Sequence, residues 1–320
     1  MGYSPAQSHD IKIGVAGPKT GPLAAGAAVT RWPPYRLWEK GINARGGFTI
    51  KGEKHKMKLI EYDDRSNPGE TIKAIQRLAT QDKADLIMAP YGIGFNLASA
   101  PIFAKLGYPQ FAIAAVSDKI DEMTKKFPTM FFFLGDTASY AVSVAEILAK
   151  IRDASKINSR VAMVKLGDTF GIELANAARP VFKKSGFEIV YDKSYPLGTQ
   201  DLTSVIKAGA GGIGNTAGFR DYLKRLKAGT GVDGDYWGTG VYGALTQVLT
   251  QSIETVGADR HAVLKYIKSR TFDTLMGKLD LRKQNAPVWW TVGQWQDGVF
   301  EGVKGYGTSG EKAVRMKSGW

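Results

Sequence analysis

Apolar runs alternate with amphipathic segments along the first 200 residues of the chain. Ile11, Ile13 and Val15 alternate with other residues in the manner of a buried strand, and a glycine- and proline-containing loop follows at 17–22. The apolar runs predict strands at 11–15, 57–62, 84–90, 111–115, 130–134, 161–166 and 188–191, and the segments between them predict helices at 23–44, from 67, from 96, 119–126, 140–151 and 172–184. This alternation with short connections predicts an α/β fold with a largely parallel sheet.

Two local signals sharpen the helix predictions. Asn67 can cap a helix, Pro68 suits the first helical position, and Glu70 stands where a capping box has its acidic residue. In the long helical region 23–44, Pro33 and Pro34 predict a break or kink, because an interior proline lacks the backbone N–H and clashes with the preceding turn.

Beyond Lys207 the alternation fails. A glycine-rich stretch at 209–218 is followed by helical segments near 219–228, 241–256 and 260–269. Short strands are then predicted around 275–281, and a hairpin at 288–299 has Asp297 and Gly298 at its turn.

Composition narrows the possible functions. The 320 residues include no cysteine, which excludes disulfides, cysteine-ligated metals and a cysteine nucleophile. The net charge of +13 comes from 43 Lys+Arg against 30 Asp+Glu, spread along the chain. The densest basic cluster, at 51–58, lacks the interleaved aromatic residues of a nucleic-acid site, so we expect a solvated basic surface and no nucleic-acid partner.

Motif matches do not assemble a catalytic centre. The segment 209–214 matches GxGxxG, but 201–208 predicts a capped helix where a dinucleotide site needs a strand. Matches to SxxK at 204–207 and KTG at 19–21 stand in the wrong order for a serine acyl enzyme. His9, His55 and His261 lack metal-ligand spacing. We therefore expect no catalytic residues, no metal and no cofactor.

Four loops each follow a predicted strand and precede a predicted helix, at 17–21, 91–96, 114–117 and 168–171. In open α/β sheets, ligands lie beyond the carboxyl ends of strands and near helix N-termini. The side chains in these loops are mostly small, apolar or aromatic, which leaves backbone N–H groups for polar recognition. This favours capture of a small organic ligand over catalysis.

The composition does not determine in which cellular compartment the protein works. No run approaches the roughly 18 apolar residues of a membrane span, and the first residues contain no hydrophobic signal core. The opening segment MGYSPAQ is expected to be a start added to the chain or the remnant of a removed leader. A cytoplasmic protein and a mature exported protein both fit.

With these residues placed, the chain resembles the branched-chain amino-acid-binding family, the type I periplasmic solute-binding proteins that serve ABC transporters. The resemblance covers about residues 10–207 and 217–303. It is carried by the segments IKIGVAGPKTGPL at 11–23, GINARGG at 41–47, EYDD at 61–64, APYGIG at 89–94, GDTFG at 167–171, FDTLMG at 272–277 and GQWQDG at 293–298. Their order and spacing together are more specific than any single motif.

The resemblance implies two Rossmann-like lobes joined by a three-strand hinge and closing on a ligand. It places 10–135 and about 217–271 in the first lobe, 136–208 and about 272–303 in the second, and 1–9 and 304–320 in tails. The ligand-binding residues that it implies are Tyr91, Gly92, Ile93, Ala114, Ala115, Val116, Ser117 and Phe170. Gly92 and Val116 stand where amino-acid binders have serine and threonine, with Ser117 as the alternative source of a hydroxyl. A hydrophobic or aromatic carboxylate, or another small metabolite, is therefore an alternative ligand to an amino acid.

The resemblance also implies either that the second lobe is shortened by a deletion or that the sequence as given omits a stretch of it. Between Lys207 and Ala217, family members carry roughly sixty further residues, including an acidic residue that binds the ligand's amine. We expect an exported, monomeric periplasmic solute-binding protein that delivers its ligand to the membrane permease of an ABC importer. The alternatives are a ligand-sensing receptor or regulator domain of the same fold and, less favoured, an NAD-dependent Rossmann enzyme.

Overall fold

A computed structural model describes residues 9–154, 156–197, 199, 211–212, 217–286, 291–297, 299–305 and 312–316. The strands are β1 (Ile11–Gly17), β2 (Phe48–Ile50), β3 (Glu53–His55), β4 (Met57–Asp63), β5 (Leu86–Met88), β6 (Gln110–Ala112), β7 (Met130–Phe132), β8 (Arg160–Leu166), β9 (Glu188–Tyr195), β10 (Gly211–Gly212), β11 (Thr271–Thr274), β12 (Gly277–Asp280), β13 (Thr291–Gln296) and β14 (Val299–Gly305). The helices are α1 (Ala24–Thr30), α2 (Trp32–Ala44), α3 (Pro68–Thr80), α4 (Ile93–Leu106), α5 (Ile120–Lys126), α6 (Thr137–Asp153), α7 (Thr169–Lys184), α8 (Ala217–Thr230), α9 (Thr239–Val256) and α10 (Arg260–Ile267).

Parallel strand pairs joined by helices form the framework. β1 lies between β4 and β5 with all three strands parallel, so that Ile13 pairs with Leu59 on one side and Leu86 on the other. β6 pairs with β7, and β8 pairs with β9, again in parallel. Parallel neighbours need crossover connections, which the intervening helices supply. The predicted α/β class is therefore confirmed.

Among the described residues the antiparallel pairs are three hairpins and the pairing of β10 with β13. β2 pairs with β3 and β11 with β12, while β13 lies between β10 and β14. Asp297 adopts a left-handed φ of 54° between β13 and β14, in agreement with the turn predicted there.

The apolar residues form several cores. The largest packs β1 residues such as Val15 against α2 and α9, and Phe272 and Leu279 from the β11–β12 hairpin belong to it as well. A separate core lies between α6, α7 and β8, centred on Ala145 and Phe182. The strand–helix units after residue 136 thus have a core of their own. The proposed lobe boundaries remain a prediction.

The break that Pro33 and Pro34 predict within 23–44 is confirmed, whereas the bounds predicted for α4 and for three strands were wrong. The helical region 23–44 is two helices that meet at Arg31, and the prolines lie in the first turn of α2, where they are tolerated. Helix α4 begins at Ile93 and not at 96, because Gly92 already ends the loop. The strands predicted at 84–90, 111–115 and 130–134 keep only three residues each, since their last residues are buried without being paired in a sheet.

Several sequence predictions fall wholly or partly outside the described residues, among them the predicted hairpin 288–299, of which 288–290 and Gly298 are not described. The capped helix predicted at 201–208 lies entirely outside the described residues. Of the GxGxxG match at 209–214, only Gly211 and Gly212 are described, and they form β10. Within the part of the chain that the structure describes, no helix is both long enough and apolar enough to cross a membrane.

Candidate functional site

The carboxyl end of β5 leads directly into α4. Gly92 is the N-cap residue of α4 and has φ 93° and ψ 148°, a conformation that a residue with a side chain rarely adopts. Buried Asn96 secures the turn by donating hydrogen bonds from Nδ2 to the carbonyl oxygens of Pro90 and Gly92, each at 2.9 Å. Among the described residues no side chain caps this N-terminus, so the first backbone N–H groups of α4 receive no side-chain hydrogen bond.

The segment after β6 is buried in spite of its loop conformation. Ala114 and Val116 belong to the largest core, whereas Ala115 packs in a second core with Ile93. Ser117 is fully buried. The structure therefore brings the two strand-end segments predicted from the sequence into adjoining cores.

Ser117 has a specific partner on another element. Its hydroxyl donates a hydrogen bond of 2.8 Å to Oε2 of Glu173, and its Oγ accepts one of 3.1 Å from the backbone N–H of Lys119. Glu173 lies on α7 and is 8 % exposed. In this arrangement the Ser117 hydroxyl group therefore forms its hydrogen bonds with other parts of the protein.

Phe170 lies in the first turn of α7. It packs against two cores, the largest one and the second core that contains Ile93 and Ala115. Asp168 caps α7 by accepting a hydrogen bond of 2.8 Å from the backbone N–H of Gly171. The Phe170 ring is partly buried against both cores and meets the Trp237 ring edge-to-face, with 6.5 Å between ring centroids. Phe170 therefore packs against the two cores to which Ile93 and the segment 114–116 belong.

Sequence reasoning missed Trp237 and Glu173. Trp237 lies in the segment before α9, where Asp235 accepts hydrogen bonds from the backbone N–H groups of Gly238 and Thr239 at 3.0 and 2.8 Å. An aspartate just before an apolar helix was the available signal for the turn, but no local pattern indicates that the adjacent ring reaches Phe170. Glu173 gave no signal, because its partner Ser117 is 56 residues away.

The electrostatic surroundings of Tyr91 also involve this segment. Burial raises the pKa of Tyr91, and the nearby Asp235 carboxylate raises it further, whereas the hydrogen bond with Thr30 and the charge of Arg31 lower it. Tyr91 is consequently a neutral phenol at physiological pH. Beside the strand ends it offers an aromatic surface and a hydroxyl group.

Two cavities lie away from these residues. One of about 300 Å³ is bounded by α2, α8 and α9, with Trp38 and Tyr222 in its wall. Another, of about 540 Å³, lies beside α1 and α2, with Trp32 and Lys40 in its wall. Neither is lined by a predicted site residue. The second includes Pro18 and Lys19 of the predicted strand-end loop 17–21, but neither cavity contains the loops after β5 and β6, so we retain the cluster formed by those two loops and Phe170 as the candidate site.

Metal chemistry has no evident site in the described part of the chain. No group of three or more histidine, aspartate or glutamate side chains there is placed to hold a metal ion.

Comparisons with known proteins place the chain among binding proteins. A family model described as periplasmic binding protein matches residues 10–211. An amino acid binding protein from Pseudomonas aeruginosa is 27 % identical over 206 residues, which are 64 % of this chain and 52 % of the relative. A Leu/Ile/Val-binding protein homolog from Brucella suis is 28 % identical over 211 residues, covering 64 % and 50 % of the two chains. The chain spans about half the length of these curated relatives.

Solved structures share the fold at low sequence identity. A solute-binding protein of an ABC transporter from Rhodopseudomonas palustris, in complex with 3,4-dihydroxybenzoic acid, has a TM-score of 0.74 at 16 % identity and covers 93 % of this chain and 97 % of its own. A branched-chain amino acid transporter substrate-binding protein from Streptococcus pneumoniae, in complex with isoleucine, has a TM-score of 0.73 at 16 % identity and covers 93 % and 99 %.

Proposed function

Because the chain belongs to the periplasmic binding protein family, we propose that it is a non-enzymatic solute-binding protein of the periplasm. In this proposal it captures a small organic acid between two lobes and delivers it to the membrane permease of an ABC importer. The relatives named above support a binding role, and the strand-end cluster is the ligand site in this proposal.

One observation carries the proposal for the ligand's chemistry. The uncapped N-terminus of α4 at Gly92 lies beside partly buried aromatic rings, Tyr91 at the strand end and Phe170 packed against both cores. Backbone N–H groups and the helix dipole favour a carboxylate, and the rings favour an apolar or aromatic body. An amino acid with an apolar side chain and an aromatic carboxylate both satisfy this chemistry. Solved relatives of the same fold hold isoleucine in one case and 3,4-dihydroxybenzoic acid in another.

The proposed test is calorimetric titration of the protein with leucine, isoleucine, phenylalanine, benzoate and 4-hydroxybenzoate. We expect at least one compound to bind with 1:1 stoichiometry. Phe170→Ala should weaken that binding by about tenfold or more, because it removes a large aromatic contact with the ligand.

Tyr191→Ala is the matched control. Tyr191 is an aromatic residue on β9 with 49 % exposure, so its loss should leave the affinity unchanged. If none of the five compounds binds the folded protein, or if the two substitutions weaken binding equally, the proposed ligand site is wrong.

A further inference from the structure

The hydrogen bond between Ser117 and Glu173 joins parts of the chain that the proposed lobe division separates. Ser117 follows β6 in the proposed first lobe, whereas Glu173 lies on α7 in the proposed second lobe. The Ser117 hydroxyl donates to Oε2 of Glu173 at 2.8 Å, and the backbone N–H of Asp118 donates to the same oxygen at 3.4 Å. A single carboxylate oxygen therefore holds the segment after β6.

Other contacts of α7 with the proposed first lobe are less directional. The Phe170 ring meets Trp237 edge-to-face. A Cβ placed on Gly94 of α4 would lie 3.4 Å from Oγ1 of Thr169 and 3.9 Å from its Cβ, which is ordinary van der Waals contact. Contacts of this kind tolerate small sliding movements, but a hydrogen bond weakens steeply with distance and angle. Of these contacts, the Ser117–Glu173 hydrogen bond is therefore the one that specifies a single closed geometry.

The burial of Glu173 makes this bond consequential. Among the described residues Glu173 forms no ion pair, and its other oxygen, Oε1, makes no hydrogen bond. A buried carboxylate without a cation depends on the donors that it has. Removing the Ser117 hydroxyl therefore takes away the shorter of the two hydrogen bonds that the Glu173 carboxyl group accepts.

We propose that Glu173 is a positioning residue that clasps the two lobes through Ser117, holding the closed arrangement before any ligand binds and fixing the segment Ala114–Ser117 opposite Phe170. The proposal rests on the two-lobe binding function for its effect on affinity, but the clasp itself can be tested without a ligand. Because the bond forms only when α7 contacts the β6 end, it increases the population of the closed state and so strengthens ligand binding.

The absence of cysteine from the sequence allows a direct measurement of closure. A Gly94→Cys/Thr169→Cys pair would have its Cβ atoms about 3.9 Å apart in the closed arrangement, within the range that a disulfide spans. Oxidation of the unliganded protein should form this disulfide readily. Adding Glu173→Ala or Ser117→Ala should slow its formation by up to about tenfold, the effect of losing one hydrogen bond to a charged group.

Three further variants separate a clasp from general damage. Glu173→Gln keeps an oxygen that can accept from Ser117 and should restore rapid disulfide formation. The Glu173→Ala/Ser117→Ala double variant should be no slower than either single variant, because both remove the same bond. Glu188→Ala, which removes an exposed glutamate of β9, should match the parent pair. Unfolding midpoints establish that each variant is folded.

A disulfide rate unchanged by both Glu173→Ala and Ser117→Ala would overturn the clasp, as would an equal slowing by Glu188→Ala.

Without the engineered cysteines, small-angle scattering should give a larger radius of gyration for Ser117→Ala than for the wild type. Titration with leucine and with benzoate then tests the effect on affinity: whichever of them binds should bind more weakly to Ser117→Ala. If neither they nor the other compounds bind the wild type, the proposed function fails while the disulfide rates still decide the clasp.

Discussion

Arg31 is a fully buried cation at the carboxyl ends of the central strands. Its guanidinium donates hydrogen bonds to the carbonyl oxygens of Ala16, at 2.8 Å, and Ala89, at 2.7 Å. Burial lowers its pKa, but interactions with Tyr242 and Tyr35 outweigh this and raise it above its usual value. The same charge lies 5.5 Å from the Tyr35 ring centroid. Arg31 therefore joins β1 and β5 and also marks the break between α1 and α2.

We expect Arg31→Met to lower the free energy of unfolding by about 2–4 kcal/mol, because two buried carbonyl groups lose their donors. Arg36→Met is the matched control, since Arg36 is largely exposed and pairs with Glu61 at the surface. Its loss should cost less than about 1 kcal/mol. Chemical denaturation of both variants measures the difference. Equal effects would show that the buried hydrogen bonds of Arg31 do not stabilise the fold.

Asp63 ties the loop after β1 to the end of β4. Its carboxylate accepts hydrogen bonds from the Thr20 hydroxyl at 2.7 Å and from the backbone N–H groups of Lys19 and Arg65, both at 2.9 Å. Burial raises its pKa, but these donors outweigh that effect and lower it to about 2. The folded-state pKa is depressed below the ordinary 3.8, so this stabilisation is present above about pH 4 and is lost as the pH falls towards 2.

We expect Asp63→Asn to lower the free energy of unfolding by about 1 kcal/mol at pH 6, a value discounted for solvent screening of a partly exposed group. The difference from the wild type should shrink between pH 4 and pH 2. Denaturation curves at several pH values measure it, and Asp192 and Asp280, whose pKa values are also lowered, are unchanged in both proteins. A difference that stays constant down to pH 2 would contradict the assignment.

At the scale of elements, the start of α7 depends on close contact with β8. A Cβ on Gly171 would lie 2.1 Å from the carbonyl oxygen of Leu166, the last residue of β8. Gly171 does not have a positive φ, so the requirement for glycine here is one of space. This close approach sets the position of Phe170, the residue that precedes Gly171.

We expect Gly171→Ala to lower the free energy of unfolding by about 1–3 kcal/mol, the usual cost of overpacking, and to weaken ligand binding by displacing Phe170. Gly41→Ala is the control, because Gly41 lies inside α2 with open space around it. That substitution should stabilise the protein by up to about 1 kcal/mol, since alanine is the better helix former. Thermal or chemical denaturation distinguishes the two. A neutral Gly171→Ala would show that α7 can move away from β8 without loss.

Elements with local signals were predicted well. Asn67 caps α3 by accepting from the N–H groups of Gly69 and Glu70, as its position before Pro68 indicates. The capping box is incomplete, however, because the Glu70 side chain pairs with Lys73 and the N–H of Asn67 donates to the carbonyl of Asp64. The predicted start of α4 was wrong because a glycine N-cap has no capping side chain that could be recognised in the sequence.

At the scale of the whole molecule, the separate cores meet around the candidate site. Phe170 lies against both the largest core and the core of Ile93 and Ala115. The family match ends at residue 211, inside the segment 207–217 where the resemblance implies a shortened second lobe or an omitted stretch of it. Among the described residues, β9 is the only strand that pairs with β8. The shortening itself stays a prediction.

The sequence by itself determined the α/β class, the positions of the helices and strands to within a few residues, and the strand-end segments that cluster at the site. These depend on period, caps and turn residues, which act over a few neighbouring positions. Only the tertiary structure decided that Ser117 binds Glu173, that Phe170 meets Trp237 and that Arg31 spans β1 and β5. Such contacts join residues far apart in the chain, so they depend on how the packed elements are oriented, which no local pattern encodes.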